Sequence, residues 1–192
     1  IGMLYSKKVI SAVIKSIQKI NIKKIVLDPV MVSKGGTRLI NNEAIEDIKK
    51  RLIKKILLIT PNIPEAELLT NTKIKSVEDM IRAGKILINL DTKNVLIKGG
   101  HLKSKKMNDV LLTKNKIKIF KSRKYKSKNT HGTGRTLSSA IAANLSCGKD
   151  LIYSCELGIK YVNEAIRSNL NFGKGNGPIN HLNSITLNKK FK

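Results

Sequence analysis

Ile56–Leu57–Leu58–Ile59–Thr60–Pro61–Asn62–Ile63–Pro64–Glu65 is the stretch whose reading decides the fold. Four consecutive aliphatic residues closed by a Thr-Pro break read as a short strand buried on both faces. Asn62 then stands where a helix cap belongs, with Pro64 in the first turn and Glu65 three residues after the cap. A buried strand therefore runs straight into a helix. The same event recurs on either side. Lys24–Leu27 is a short apolar strand ending in Asp28–Pro29, and Asn94–Ile97 ends in Lys98–Gly99–Gly100–His101. Helical spacing fills the intervals at Ser6–Ile20, Asn42–Ile53, Pro64–Leu69 and Ser76–Leu90, where Ser76 and Asp79 resemble a cap and its partner. This alternation predicts an α/β domain with a mostly parallel central sheet covered by helices on both faces. In such sheets functional groups collect at the C-terminal ends of the strands, so three polar strand ends define one crevice.

Beyond His101 the pattern changes. Asp109–Leu112 and Lys116–Phe120 read as strands of a hairpin around Thr113–Lys114–Asn115. A helix is expected from His131–Gly132–Thr133–Gly134 to about Leu145, and a second over about Leu151–Ser168. A glycine-rich stretch, residues 173–178, precedes a polar tail from about residue 182. Neither a repeat nor an interdomain linker is visible, which predicts one domain over residues 1–192.

The chain carries 38 Lys+Arg against 13 Asp+Glu, a formal charge of +25, yet its 41% hydrophobic content suffices for a real core. Only six of the cations are Arg, the better residue for bidentate phosphate and base contacts. The Lys residues are spread along the whole chain together with 27 Ile and 18 Asn, the mark of an AT-rich coding sequence. A solvated Lys-rich surface is therefore favoured over a nucleic-acid partner, and 4% aromatic residues leave few stacking platforms. The longest aliphatic runs are too short to span a bilayer, and Lys7, Lys8 and Lys15 interrupt any signal-like start, so no membrane partner is expected and the cytoplasm is the expected compartment. Cys147 and Cys155 form no CxxC pair and are expected as reduced thiols.

Chemistry concentrates in two places. In Asn129–Thr130–His131–Gly132–Thr133–Gly134–Arg135–Thr136, glycines before a helix let successive N–H groups converge, and the helix adds its positive end. Such a turn can hold a phosphoryl group; by itself it is equally a structural Gly-rich turn. Asn62 and Glu65 are spaced to share a hydrated Mg²⁺ that also touches phosphates, or to cap a helix. Asp28 is either a turn former before Pro29 or a further acidic group beside that metal.

Asp28–Pro29–Val30–Met31–Val32, Thr60–Pro61–Asn62–Ile63–Pro64–Glu65, Lys98–Gly99–Gly100–His101, Asn129–Thr130–His131–Gly132–Thr133–Gly134 and the segment Gly173 to His181 occur in order and at near-gapless spacing. Together they resemble the hydroxymethylpyrimidine/phosphomethylpyrimidine kinases of thiamine biosynthesis, members of the ribokinase superfamily. The resemblance implies a three-layer ribokinase-like sandwich, a requirement for ATP and Mg²⁺, and two successive phosphorylations of an aminopyrimidine. It assigns Gly132, Thr133 and Gly134 to the catalytic anion hole, and Asn62, Glu65, Lys98 and Thr130 to the nucleotide. It sets Val30 near the pyrimidine, and Asn62, Glu65 and Asp28 around Mg²⁺ through water. A homodimer is consistent with the family.

Three departures accompany the resemblance. The family has an N-terminal segment supplying the first strand, a Gly-rich turn and pyrimidine-holding polar groups, so the first strands are expected to be missing from a chain that opens Ile1–Gly2–Met3. Asn176 stands where the family commonly has His. Arg135 stands where the family has a Cys, at the place of the Asp base of other ribokinase-like enzymes. A guanidinium has five donors and no acceptor, so Arg135 cannot take a proton from a hydroxyl. It can lie against transferred phosphate or point to solvent. Two functions stay open at this stage: a divergent pyrimidine kinase, or a non-catalytic remnant retaining at most nucleotide binding.

Overall fold

A computed structural model describes residues 1–33, 36–102, 106–125, 127–168, 175 and 177–183. Helix starts in the chain are set by short polar side chains. Ser6 caps α1 (Lys7–Ile20), Asn41 caps α2 (Asn42–Asp47), Asn62 caps α3 (Ile63–Thr70), and Ser76 caps α4 (Val77–Asn89). Asp150 caps α6 (Leu151–Arg167), whereas α5 (Thr133–Ser146) begins on Gly132 with no side-chain cap. Each capping oxygen accepts an N–H that the helix itself cannot use.

The helix expected over Asn42–Ile53 is α2 for its first six residues only. It continues as a π turn at Ile48–Leu52 and a 3-10 turn at Ile53–Lys55. In the π turn Ile53 N–H donates to the Ile48 carbonyl, which stacks two fully buried isoleucines.

Residues 1–124 and 125–192 form two compact units. In the first, β1 (Val26–Leu27), β2 (Leu58–Ile59), β3 (Asn94–Ile97), β4 (Lys106–Thr113) and β5 (Ile117–Arg123) lie side by side in chain order. β1, β2 and β3 pair in parallel, and both ladders of β4 are antiparallel, so four strands share one direction and β4 alone opposes it. The expected mostly parallel sheet is present. Leu27, Ile59, Val95, Ile97, Val110 and Leu112 belong to one core cluster with apolar residues of α1 to α4. Their alternates Val26, Leu58, Leu96 and Leu111 are buried too, the pattern of strands covered on both faces.

β1 and β2 are shorter than their apolar runs, but single bonds from Leu57 N–H to Ile25 O and from Thr60 N–H to Leu27 O extend the contact. β4 and β5 are longer than expected, because backbone pairing carries the polar Lys106, Asn108, Lys121 and Arg123 along. β5 is one edge of the described sheet, and its exposed Lys118, Lys121 and Arg123 are the charges that keep an edge from recruiting other strands.

In the second unit α5 and α6 pack as a pair. Their buried residues Leu137, Ile141 and Leu145, and Cys155, Ile159 and Val162, recur at helical spacing. The polar tail beyond residue 183 and residues 173, 174 and 176 of the glycine-rich stretch lie outside the described residues. Among the described residues no helix is long and apolar enough to cross a membrane.

Candidate active site

In the first unit the strand ends converge as expected. Lys98 N–H donates to Pro61 O at 2.8 Å, and a parallel bridge joins Asn62 to Lys98. This sets the residue after β3 beside the start of α3. The Lys98 ammonium reaches across the end of β2 and donates to Asp28 Oδ1 at 2.7 Å, with both side chains largely buried. Thr60 donates its hydroxyl to Leu27 O at 3.3 Å beneath them.

Asn62 and Glu65 form a reciprocal capping box. Asn62 Oδ1 accepts from Glu65 N–H at 3.0 Å, and Glu65 Oε2 accepts from Asn62 N–H at 2.8 Å. Glu65 is 2% exposed. Burial, opposed by the Lys98 charge and by N–H donors from Asn62 and Met31, holds its carboxyl above the ordinary range. Of the two readings the spacing allowed, the cap is the one formed by direct contacts. The cap uses one lone pair of Asn62 Oδ1 and only the Oε2 of Glu65, so oxygen donors suited to a hydrated Mg²⁺ stay available here. Among the described residues no three His, Cys, Asp or Glu side chains gather as a metal cage. Val30 is half-buried on the turn after β1, where its N–H donates to Asp28 O.

Asp109, on β4, was read from sequence only as the start of a strand. The structure makes it part of this cluster: it is 3% exposed, and its Oδ1 accepts Gly99 N–H at 2.8 Å. Burial pushes its carboxyl up to about 6, against the Gly99 N–H and the Lys98 charge. His101 follows on the same turn, and partial desolvation together with Lys98 and Lys124 holds its imidazole below the usual range. Lys98 thus serves one buried carboxylate directly and two others through its field. The signal that could have found Asp109 is an acidic residue beside an apolar run, Val110–Leu111–Leu112, whose neighbours are all buried.

The second unit contains the other expected residues. Gly132 has φ 87°, a left-handed conformation that a Cβ makes costly, and this lets the chain turn sharply into α5. The first intrahelical bond runs from Thr136 N–H to Gly132 O. The backbone N–H groups of Thr133, Gly134 and Arg135 therefore have no helical acceptor, and among the described residues no side chain caps them. The turn is fixed from outside the helix: Asn129 Oδ1 accepts Gly177 N–H at 3.0 Å, His131 N–H donates to Gly177 O, and His131 bridges Pro178. The described end of the glycine-rich stretch thus clamps the Thr130–Gly134 turn. Half-buried Thr130 offers its carbonyl to the Thr133 hydroxyl. Arg135 Nη2 lies 3.1 Å from His131 Nε2.

Compared with solved structures, the fold is that of the ribokinase-like small-molecule kinases. An ADP complex of Bacillus subtilis pyridoxal kinase matches with a TM-score of 0.87 at 32% identity, covering 94% of this chain and 68% of that one. Phosphomethylpyrimidine kinase from Clostridium difficile matches with a TM-score of 0.75 at 42% identity, covering 86% and 67%. The phosphomethylpyrimidine kinase family profile matches residues 1–180, and the chain belongs to that family. Among curated relatives, the thiamine biosynthesis bifunctional protein of Geobacter sulfurreducens is 42% identical over 94% of this chain. The hydroxymethylpyrimidine/phosphomethylpyrimidine kinase of Aquifex aeolicus is 41% identical over 91% of it. The chain spans 37% of the Geobacter protein and 69% of the Aquifex enzyme.

Proposed function

We propose that the chain serves transfer of the γ-phosphoryl group of ATP to an aminopyrimidine, at its hydroxymethyl group or at the monophosphate made from it. The observation that carries this reading is the uncapped start of α5. Three backbone N–H groups stand at the positive end of a 14-residue helix that has no side-chain cap among the described residues, on a turn set by Gly132. Preorganised donors of this kind stabilise the charge that gathers on a phosphoryl group in transit, and they need no reorganisation to do so. Thr133 and Gly134 belong to that turn, and Thr130 braces it.

The first unit contributes the groups for the nucleotide. Lys98 is a largely buried cation whose charge offsets phosphate oxygens, and Asp28 holds its ammonium in place. Asn62 and Glu65 would hold a hydrated Mg²⁺, with Asp28 as the further acidic group. When bound, Mg²⁺ supplies charge neutralisation between phosphates. Val30 contacts the pyrimidine ring.

The experiment is a coupled ADP-release assay with hydroxymethylpyrimidine and with phosphomethylpyrimidine, run beside calorimetric titration of a non-hydrolysable ATP analogue. Turnover of either pyrimidine supports the reading. Nucleotide binding with no turnover supports the second reading, a nucleotide-binding protein without catalysis, which the engagement of Arg135 with His131 favours. Absence of both overturns the proposal.

A further inference from the structure

The backbone around Lys98 is held from both sides. Lys98 N–H donates to Pro61 O at 2.8 Å, toward β2. The next N–H, that of Gly99, is directed to β4 instead. The β3–β4 ladder ends with Ile97 opposite Val110, so Gly99 lies beyond it. A side chain takes over as acceptor there: Asp109 Oδ1 receives the Gly99 N–H at 2.8 Å. Gly99 O then accepts Leu102 N–H at 3.0 Å, which closes a turn through Gly100 and His101. Lys124 Nζ donates to Leu102 O at 2.9 Å and ties the far end of that turn to the residue after β5.

We propose that Asp109 is a positioning residue for nucleotide binding: by accepting the Gly99 N–H it fixes the turn that aims the Lys98 ammonium. The inference rests on the reading that Lys98 serves the nucleotide, and it lies wholly within residues 1–124.

Geometry gives Asp109 this role. The two peptide planes that flank the Lys98 Cα are each pinned, one through Lys98 N–H on Pro61 and the other through Gly99 N–H on Asp109. The side chain therefore leaves the chain in one direction, which ends on Asp28 Oδ1 at 2.7 Å. Without the Asp109 acceptor the second plane is free to turn. Lys98 then samples other directions, and part of the binding energy goes to re-ordering it.

Packing does not call for a carboxylate here. Asp109 is 3% exposed and opens the buried run Val110–Leu111–Leu112, where an apolar side chain would avoid the cost of desolvation. The buried Gly99 N–H does call for an acceptor, since a donor left without one costs more than a hydrogen bond gains. Asn108 O stands on the Cα side of Gly99, 1.9 Å from where a Cβ would be, and leaves the N–H to Asp109. Nor is the Asp109 charge the ammonium's direct partner, which is Asp28; Asp109 reaches Lys98 only through its field.

The test uses the wild-type chain, Asp109→Asn and Asp109→Leu, each titrated calorimetrically with a non-hydrolysable ATP analogue and Mg²⁺ after a circular-dichroism melt. Hydrogen exchange of the Gly99 amide is followed by NMR alongside. Asn keeps an oxygen for Gly99 and removes a negative charge from the neighbourhood of an arriving polyphosphate, so Asp109→Asn should bind at least as tightly as wild type. Leu has a similar shape and no acceptor, so Asp109→Leu should bind about tenfold more weakly and lose the protection of the Gly99 amide. A bond of purely structural value would shift the melt and leave the affinity of the folded chain alone.

Coupling is reciprocal, so saturating nucleotide should slow Gly99 exchange in wild type by about tenfold as well. That measurement and Asp109→Asn decide the matter if Asp109→Leu does not fold. Full affinity in folded Asp109→Leu, an Asn variant weakened as much as Leu, or Gly99 exchange indifferent to nucleotide would each overturn the inference while leaving nucleotide binding intact. A wild-type chain that binds no nucleotide would overturn it together with the reading of Lys98.

Discussion

The Lys98 ammonium and the Asp28 carboxylate meet at 2.7 Å although 70 residues separate them. They leave β3 and β1, with β2 between, so the pair spans about two strand spacings, roughly 10 Å. Each side chain is largely removed from water, at 13% and 5% exposure. Their attraction offsets a desolvation cost that neither would bear alone.

Breaking this pair from one side should therefore cost more than removing it whole. Lys98→Met strands a buried carboxylate and should destabilise the chain by about 3–5 kcal/mol. Asp28→Asn/Lys98→Met should recover most of that loss. Urea unfolding of the single and double variants measures both. A double variant no more stable than Lys98→Met would show that the two groups act independently.

Glu65 combines two roles that one substitution separates. Gln in its place can still accept Asn62 N–H, so the capping box persists and stability should change by under about 0.5 kcal/mol. The carboxylate charge is lost, so Mg²⁺-dependent binding of an ATP analogue should weaken while metal-free binding holds. Asn62→Ala should instead cost about 1 kcal/mol of stability by removing the cap. Thermal melts and titrations with and without Mg²⁺ distinguish the outcomes, and unchanged Mg²⁺ dependence in Glu65→Gln would confine this residue to capping.

Asp109 makes stability depend on pH in a definite direction. Its carboxyl titrates near 6 in the folded chain, against 3.8 for an unperturbed Asp. Between these values the folded state holds more protons than the unfolded state, so this group's contribution falls as pH rises through the window and levels off above it. The total loss is at most about 3 kcal/mol. Asp109→Asn keeps an acceptor for Gly99 N–H without the titration. The stability of wild type relative to Asp109→Asn, from urea melts at pH 4, 5, 6 and 7, should decline steadily and then flatten. A constant difference across that range would refute the assignment.

Much of this was legible because the strand ends carry their own punctuation. Asp28–Pro29, Thr60–Pro61–Asn62 and Lys98–Gly99–Gly100 each stop an apolar run, and the structure places all three at one end of the sheet. The cap at Asn62 was legible for the same local reason. Asp109 was not, because its meaning lies in Gly99, a partner on the turn after β3 that only the antiparallel pairing of β3 with β4 brings near. The clamp of Gly177 and Pro178 on the Thr130–Gly134 turn is also non-local, and spacing cannot report it. The π turn after α2 escaped because Ile45, Ile48, Leu52 and Ile53 fit ordinary helical spacing nearly as well.

Gly99 offers the sharpest check on how the Lys98 turn is held. A Cβ there would stand 1.9 Å from the Asn108 carbonyl oxygen, which belongs to the backbone of β4 and cannot swing aside. Gly99→Ala must push the end of β3 off β4, lengthen the Gly99–Asp109 bond, and draw Lys98 away from Asp28. The cost should be about 3 kcal/mol, at the upper end of ordinary overpacking, because backbone and not a side chain has to move. Nucleotide binding should weaken with it. Gly100→Ala is the matched control, since its nearest neighbour is the Met107 Sδ at an ordinary 3.7 Å and the residue is exposed. It should stay within about 0.5 kcal/mol of wild type. Denaturant unfolding of both variants, with nucleotide titration alongside, provides the measurement. Equal stability of the two would mean that β4 yields to accommodate the methyl group, and that the close approach does not hold Lys98 in place.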